Sequence, residues 1–145
     1  MLVILDTNVV FQALHSQGAS HFILGLIRKQ KLKLALSMKV FAEYEEVLKR
    51  KKNLKSMGLG LGDVEAVLAF LAYVGRPFDT YFLFRPNLRD ENDNLFVELA
   101  LASNAKYVIT NNIKDFTKDV QLRFSDFEVV TPAEFEKMWR KENEE

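Results

Sequence analysis

Acidic and polar side chains follow two of the apolar segments that the sequence predicts to be strands. Asp6 comes directly after the apolar run 2–5, and Thr110 ends a second run, 107–110, with Asp115 shortly after it. The carboxyl ends of parallel strands meet at one edge of a sheet, and ligands bind in the crevice beyond that edge. The sequence therefore predicts that these side chains lie close together.

The acidic residues near this edge have an ordinary structural explanation as well as a functional one. Asp6 could simply end its strand and cap the helix that follows it, and Asp115 could cap a short turn. Asp90 and Asp93 stand at the start of a predicted helix, 90–104, where carboxylates cap the backbone and complement the helix dipole. Residue type and position leave both interpretations open, with capping the stronger one for Asp90.

Glu43 is singled out by helical geometry. An apolar stripe predicts a helix over 38–51, and at ~100° per residue Glu43 lies about 40° outside one edge of that stripe. Glu45 and Glu46 each have a basic residue four positions later, which predicts ordinary surface ion pairs. Glu43 has only Lys39 behind it, in the less favourable orientation. It therefore either points into a cleft beside the buried stripe or is solvated.

The composition limits the chemistry that such a cluster can perform. The chain has no cysteine and only two histidines, which excludes thiol catalysis and cysteine-ligated metals. Carboxylate oxygens suit hard divalent cations such as Mg²⁺ or Mn²⁺, and a cation also relieves the repulsion between grouped carboxylates. A metal held in this way lowers the pKa of a bound water and stabilises charge on a phosphate. The acids therefore favour metal-assisted hydrolysis of phosphodiesters.

Segments of strand and helix character alternate along the 145 residues, which predicts an α/β protein with a parallel sheet covered by helices. Strands are predicted at 2–5, 33–36, 107–110 and 127–130, with 81–84 as either a strand or a connector. Helices are predicted at 7–15, 18–31, 38–51, 90–104 and around an apolar stripe from Val64 to Leu71 that ends at Gly75, with a loop over 51–62. Thr131 and Glu134 predict a capping box at the start of a final helix. The length and the ordinary composition predict a single domain over 1–145.

Four segments resemble the PIN domain, a nuclease family, and they occur in that family's order. They are Ile4-Leu5-Asp6-Thr7-Asn8-Val9, Glu43-Tyr44-x-x-Val47-Leu48, Arg89-Asp90-x-x-Asp93-Asn94 with the helix and strand after it, and Thr110-Asn111-Asn112-Ile113-Lys114-Asp115-Phe116. The resemblance covers residues 2–131 and implies a three-layer α/β/α sandwich around a central parallel sheet. It also implies that a Mg²⁺ or Mn²⁺ ion is bound at a catalytic site formed by Asp6, Glu43, Asp93 and Asp115.

Four further residues are expected to assist this site. Asn8 and Thr110 would orient ligands or water through hydrogen bonds, and Asp90 is an accessory or capping residue. Many members of the family carry an aspartate at the position of Asn112, whereas others have their fourth acid three residues later, where Asp115 stands. Without Asp115 the site is one carboxylate short, so the sequence leaves open whether one or two metal ions bind.

The resemblance implies cleavage of single-stranded RNA, and many prokaryotic members are toxins of toxin–antitoxin pairs, so an antitoxin protein is an expected partner. The chain has zero net charge, but residues 28–55 contain ten basic and three acidic residues. This segment is either a solvated helix face or a flank that binds the RNA backbone. The candidate RNA-binding residues are Lys39, Lys49, Arg50, Lys51 and Lys52.

Other functions stay open at this point. An acidic site weakened by Asn112 would suit a non-catalytic module that binds RNA or an antitoxin, and the acids also suit a metal-dependent phosphatase. The uncharged stretch 7–27 fits burial in one core or contact with a second copy in a homodimer. Polar residues interrupt it, so the sequence has no run of the ~20 apolar residues that a membrane helix needs. We therefore expect a soluble, cytoplasmic protein.

Overall fold

The structure, a computed structural model, describes residues 1–80, 91–114 and 127–143, with the backbone alone for 91–94. Within these ranges the chain forms five strands and seven helices. In chain order they are β1 (Leu2–Leu5), α1 (Thr7–His15), α2 (Ala19–Arg28), β2 (Lys33–Leu36), α3 (Met38–Leu48), α4 (Lys51–Met57), α5 (Leu61–Val74), β3 (Arg76–Pro77), α6 (Glu91–Ser103), β4 (Tyr107–Ile109), β5 (Glu128–Val130) and α7 (Pro132–Asn143).

The five strands form one parallel sheet in the order β3-β2-β1-β4-β5. β1 is central, because Val3 is paired with Leu34 of β2 on one side and with Tyr107 of β4 on the other. Val3, Ile4 and Leu5 are fully buried, as expected for a strand that helices cover on both faces. The chain passes from β1 to β2 and β3 on one side and then returns to β4 on the other. The carboxyl ends of β1 and β4 therefore form the switch point at which such sheets bind ligands.

Helices cover the sheet in two groups. α1 and α7 both pack against α2, and α3 packs against α5 and α6. α5 contacts β2, and α6 contacts β1, β2 and β4. Large, fully buried side chains come from both groups, among them Ile23, Tyr44, Phe96 and Phe135. The predicted three-layer α/β/α sandwich with a central parallel sheet is confirmed.

The structure differs from the sequence prediction at two places between α3 and α6. The segment 51–62, predicted to be a loop, begins with helix α4, which ends at Gly58 with a left-handed φ of 71°. The seven residues of this helix include three lysines and too few apolar residues to show a helical period. Its Leu54 packs against the core. The edge strand β3 is missed because two residues show no alternation, and its Pro77 is tolerated since an edge strand can lack an N–H donor. The strand or connector predicted at 81–84 lies outside the described residues.

The start of the final helix follows the prediction. The Glu134 backbone N–H donates to the Thr131 hydroxyl oxygen at 3.2 Å, and the Thr131 backbone N–H donates to Glu134 Oε1 at 2.9 Å. These reciprocal bonds are the predicted capping box, and they satisfy two N–H groups that the helix cannot bond internally.

No single helix in the described part of the chain is long and apolar enough to cross a membrane. α4 and α5 taken together have the necessary length and composition, with a bend of 89° between them.

Candidate metal centre

Asp6 lies where β1 ends and α1 begins, and only 5% of the residue is exposed. Its Oδ1 accepts a hydrogen bond from the Thr7 backbone N–H at 2.7 Å. Its Oδ2 accepts one from the Thr110 hydroxyl at 2.6 Å and one from the Asn8 side-chain amide at 3.1 Å. Asp6 is therefore the N-cap of α1, as the structural interpretation predicts, and its carboxylate is also held in one orientation at the switch point.

Thr110 directly follows β4 and is fully buried. Its backbone N–H donates to the Val130 carbonyl of β5 at 2.9 Å, and its hydroxyl oxygen accepts a hydrogen bond from the Asn112 backbone N–H at 3.0 Å. The Asp6 backbone N–H donates to the Ile109 carbonyl at 2.9 Å. Asp6 and Thr110 thus meet because neighbouring parallel strands end side by side, which is the convergence that the sequence predicts.

A chain of amide side chains continues from Asp6 along the switch point. Asn8 Oδ1 accepts hydrogen bonds from the backbone N–H and the side-chain amide of Asn111, at 3.2 and 3.3 Å. Gln12 Oε1 accepts one from Asn111 Nδ2 and one from the Ser20 hydroxyl, both at 2.9 Å. These bonds fix which end of the Asn8 amide faces Asp6. Gln12 does not stand out in the sequence, although its spacing of four residues from Asn8 places both on one face of α1.

Glu43 on α3 lines the same cavity of about 320 Å³ as Asp6. α3 begins after Ser37, whose hydroxyl oxygen accepts a hydrogen bond from the Val40 backbone N–H at 3.1 Å. Of the two orientations that the sequence leaves open for Glu43, the structure has the one in which this residue borders a cleft. Asn112 lines the same cavity, so an amide stands where many family members carry a carboxylate.

Tyr44, the residue after Glu43, is fully buried, and its hydroxyl donates to the Leu5 carbonyl oxygen at 2.5 Å. Burial raises the pKa of the Tyr44 phenol well above its ordinary value, and the nearby charge of Asp6 raises it further. The phenol therefore stays protonated, and able to donate, throughout the neutral pH range.

Basic residues border the acidic part of the cavity. Arg50 and Lys52, at the start of α4, line it together with Asp6 and Glu43. The Arg50 guanidinium also pairs with Glu46 at 3.0 Å on the protein surface. Lys52 is exposed and forms no ion pair with the described residues. Two of the five predicted RNA-binding residues thus lie beside the candidate metal ligands.

The other three predicted RNA-binding residues are placed differently. Lys39 Nζ lies 3.9 Å from the buried carboxylate of Glu98, and Lys49 pairs with Glu45 at 2.8 Å on the surface. The hydrogen bond from Lys49 to Glu45 raises the pKa of the lysine. Lys51 is exposed on α4 and does not line the cavity.

Three predicted site residues cannot be placed at the side-chain level. Asp93 lies in the first turn of α6, where the backbone alone is described, and Asp90 and Asp115 lie outside the described residues. Their roles in the site stay predictions.

The described side chains suit a hard divalent cation. Asp6 and Glu43 bring carboxylates to one cavity, and Mg²⁺ is usually held by one or two carboxylates and by water. Thr7 lines this cavity, and its buried hydroxyl has no hydrogen-bond partner among the described residues, so a bound water or phosphate oxygen can satisfy it. No group of three or more acidic or histidine side chains within the described ranges is arranged to hold a metal ion. The predicted set of four also includes Asp93 and Asp115.

A family model of the PIN domain matches residues 2–114, which is more than half of the chain. The chain therefore belongs to the PIN domain family, as the sequence resemblance predicts. PIN domains are generally nucleases, and these nucleases generally use divalent metals. A comparison with curated proteins finds no match.

Three solved structures have a similar fold. VapBC2 from Rickettsia felis, bound to a DNA fragment from their promoter, matches with a TM-score of 0.60 and 24% identity, over 90% of this chain and 98% of that chain. VapBC-1 from nontypeable Haemophilus influenzae matches with a TM-score of 0.54 and 16% identity, over 92% and 99% of the two chains. FitAB bound to the IR36 DNA fragment matches with a TM-score of 0.52 and 20% identity, over 90% of this chain and 94% of that chain. At these identities the similarity concerns the fold alone.

Proposed function

We propose that the chain is a metal-dependent endoribonuclease that cleaves single-stranded RNA and acts as the toxin of a toxin–antitoxin pair in the cytoplasm. In this proposal residues 1–145 form one nuclease domain. The observation that carries the proposal is the buried Asp6 carboxylate, which three hydrogen bonds hold at the switch point of the sheet. It shares its cavity with a second carboxylate, Glu43, and with the basic residues Arg50 and Lys52.

Asp6 and Glu43 would hold a Mg²⁺ or Mn²⁺ ion, and Asp93 and Asp115 would complete the site. When bound, the ion lowers the pKa of a coordinated water and stabilises the charge of a phosphate in an in-line displacement. The Thr110 hydroxyl and the Asn8 amide hold Oδ2 of Asp6, and the Thr7 backbone N–H holds Oδ1, so the carboxylate is oriented before any ligand arrives. This pre-organisation lowers the entropic cost of forming the site.

Arg50 and Lys52 would bind the phosphates of the RNA on either side of the cleaved bond. Cationic side chains at the rim of an acidic cavity attract the RNA backbone, whereas the carboxylates repel it until a cation neutralises them. Asn53 lines the cavity beside Lys52. Its side-chain amide donates one hydrogen to the Val47 carbonyl at 2.7 Å, and the second hydrogen can be donated to a phosphate or sugar oxygen. The separation of acids and bases in one cleft therefore supports a nucleic-acid substrate better than a small phosphomonoester.

The proposed antitoxin partner is supported by the family and by the similar structures. Many prokaryotic PIN domains are toxins, and the fold matches chains from the VapBC and FitAB complexes along most of its length. We also propose that the chain forms a homodimer.

The test is a cleavage assay with 5′-labelled single-stranded RNA, in the presence of Mg²⁺, Mn²⁺ or a chelator. We expect Asp6→Asn and Glu43→Gln each to reduce the cleavage rate by more than about 100-fold. Replacing residues that only hydrogen-bond to metal ligands already lowers activity by ~10–100-fold, and these two residues are the proposed ligands themselves. Glu45→Gln, which removes the same charge from an exposed position of α3, is the matched control and should cleave normally. Unchanged cleavage by Asp6→Asn would contradict the assignment.

Two other outcomes would identify the alternatives. Metal binding without cleavage of any RNA would favour a non-catalytic module that binds RNA or an antitoxin. Hydrolysis of a simple phosphomonoester, with RNA left intact, would favour a phosphatase.

A further inference from the structure

One buried polar group beside the candidate site has no part in binding metal or RNA as proposed above. The Tyr44 hydroxyl donates to the Leu5 carbonyl oxygen at 2.5 Å, and the tyrosine is fully buried. Tyr44 does not line the cavity of Asp6 and Glu43. It therefore cannot touch a substrate there, and any effect on the site has to act through other residues.

The position of this hydrogen bond is specific. Tyr44 is the next residue after Glu43, and Leu5 is the residue before Asp6. The bond thus joins α3 to the end of β1 directly beside the two residues that would hold the cation. The two acids are 37 positions apart in the sequence, with a helix pair and a strand between them, so their spacing depends on tertiary contacts of this kind.

We propose that Tyr44 is a positioning residue, whose hydroxyl sets the spacing of Glu43 and Asp6 and thereby the affinity of the site for a divalent cation. The inference rests on the proposed function, because it assumes that these two carboxylates bind the same ion. In the dry interior a hydrogen bond between an O–H and a carbonyl is stronger than in water. Without it, the end of α3 can shift relative to β1, and the two carboxylates lose part of their pre-organisation.

Tyr44→Phe tests the hydroxyl by itself, because the phenyl ring still fills the same volume in the core. Tyr107→Phe is the matched control. Tyr107 is also buried, with 5% exposure, and its hydroxyl donates to Met138 Sδ at 3.1 Å, which joins β4 to α7 rather than α3 to β1. Each variant loses one buried phenol hydroxyl, and only Tyr44→Phe loses it beside the acids.

The first measurement is Mn²⁺ titration by calorimetry. We expect the dissociation constant of Tyr44→Phe to rise about 10-fold, with Tyr107→Phe at the wild-type value. Excess Mn²⁺ should restore RNA cleavage by Tyr44→Phe but not by Asp6→Asn. Wild-type Mn²⁺ affinity in a folded Tyr44→Phe variant would overturn the proposal.

The second measurement needs no metal and keeps the inference separate from the proposed function. Amide hydrogen exchange of the metal-free protein should be faster at Asp6 and Glu43 in Tyr44→Phe than in Tyr107→Phe. If the wild-type protein binds no Mn²⁺, the proposed metal centre is wrong. Amide hydrogen exchange still tests whether the Tyr44 hydroxyl positions Asp6 and Glu43. Equal exchange in the two variants would then show that the hydroxyl does not position these residues.

Discussion

Replacing Thr110 by valine exchanges the hydroxyl beside Asp6 for a methyl group of similar size, and removes two hydrogen bonds at a fully buried residue. The bond from the Thr110 hydroxyl to Asp6 Oδ2, at 2.6 Å, involves a carboxylate and contributes about 1.5–3 kcal/mol. The bond from the Asn112 backbone N–H to Thr110 Oγ1, at 3.0 Å, joins neutral groups and contributes ~1 kcal/mol. We expect the free energy of unfolding of the metal-free protein to fall by about 2–4 kcal/mol.

Thr7→Val is a matched control within the same site. Thr7 is also buried next to Asp6, but its hydroxyl has no hydrogen-bond partner in the described part of the chain. Removing an unsatisfied buried hydroxyl breaks no bond, so the free energy of unfolding should change by less than ~0.5 kcal/mol or should rise.

Urea unfolding followed by circular dichroism and by the fluorescence of Trp139, the single tryptophan, measures both variants. The midpoint of Thr110→Val should move to lower urea at an unchanged slope, because the same surface is exposed on unfolding. Its Mn²⁺ dissociation constant should also rise about 10–100-fold, since Thr110 orients a ligand. Equal stability of Thr110→Val and Thr7→Val would refute the conclusion that the Thr110 hydroxyl holds Asp6 in place.

Three further predictions concern pH, RNA binding and packing. Above about pH 10 an unfolded tyrosine loses its proton, whereas buried Tyr44, with its raised pKa, keeps it. The unfolded state then binds fewer protons, so stability falls as pH rises, by up to ~1.4 kcal/mol per pH unit for this group. Between pH 9 and pH 11 the free energy of unfolding of Tyr44→Phe should therefore fall less steeply with pH than that of the wild-type protein. Equal slopes for the two proteins would contradict this role of Tyr44. Lys52→Ala should reduce the slope of the logarithm of the RNA-binding constant against the logarithm of salt concentration by about 0.7, whereas Lys51→Ala, outside the cavity, should change that slope less. Fluorescence anisotropy at several salt concentrations measures both slopes. Equal effects of the two variants would contradict the proposal that Lys52 binds RNA at the cavity. A Cβ on Gly75 would lie 2.7 Å from a backbone carbonyl oxygen of α5, so Gly75→Ala should destabilise the folded protein by about 1–3 kcal/mol. Gly25 has open space around it, so Gly25→Ala should not destabilise the protein. Thermal unfolding measures both variants, and a lower melting temperature for Gly25→Ala than for Gly75→Ala would contradict the prediction.

The convergence of Asp6 and Thr110 could be predicted because it follows from local rules. A buried apolar run ends at each residue, and the carboxyl ends of parallel strands share one edge. The capping and the functional interpretations of Asp6 proved compatible in geometry, since one oxygen caps α1 while the other accepts bonds from Thr110 and Asn8.

The amide chain beside Asp6 could not be predicted in the same way. The bond from Asn111 to Gln12 joins residues 99 positions apart, and no periodic pattern records which polar side chains will meet across such a distance. The bond from Tyr44 to Leu5 spans 39 positions and is hidden for the same reason. Tyr44 falls in the apolar stripe of α3, so the sequence predicts a buried ring but not the hydrogen-bond partner of its hydroxyl.

The basic segment shows a second limit of sequence patterns. The density of positive charge predicts an affinity for phosphate, but the direction of each side chain depends on where its helix begins and ends. α3 ends at Leu48 and α4 begins at Lys51, and this break turns Arg50 and Lys52 towards the cavity. Lys49, the first residue after α3, instead pairs with Glu45 at the predicted spacing of four residues.

The central claim is that Asp6 belongs to a divalent metal site, and calorimetric titration of the purified protein with Mn²⁺ tests it most directly. Wild-type protein and Glu45→Gln should bind Mn²⁺ with the same dissociation constant, and Asp6→Asn should bind at least about 100-fold more weakly while it stays folded. Equal Mn²⁺ binding by wild type and Asp6→Asn, or no binding by the wild-type protein, would contradict the claim.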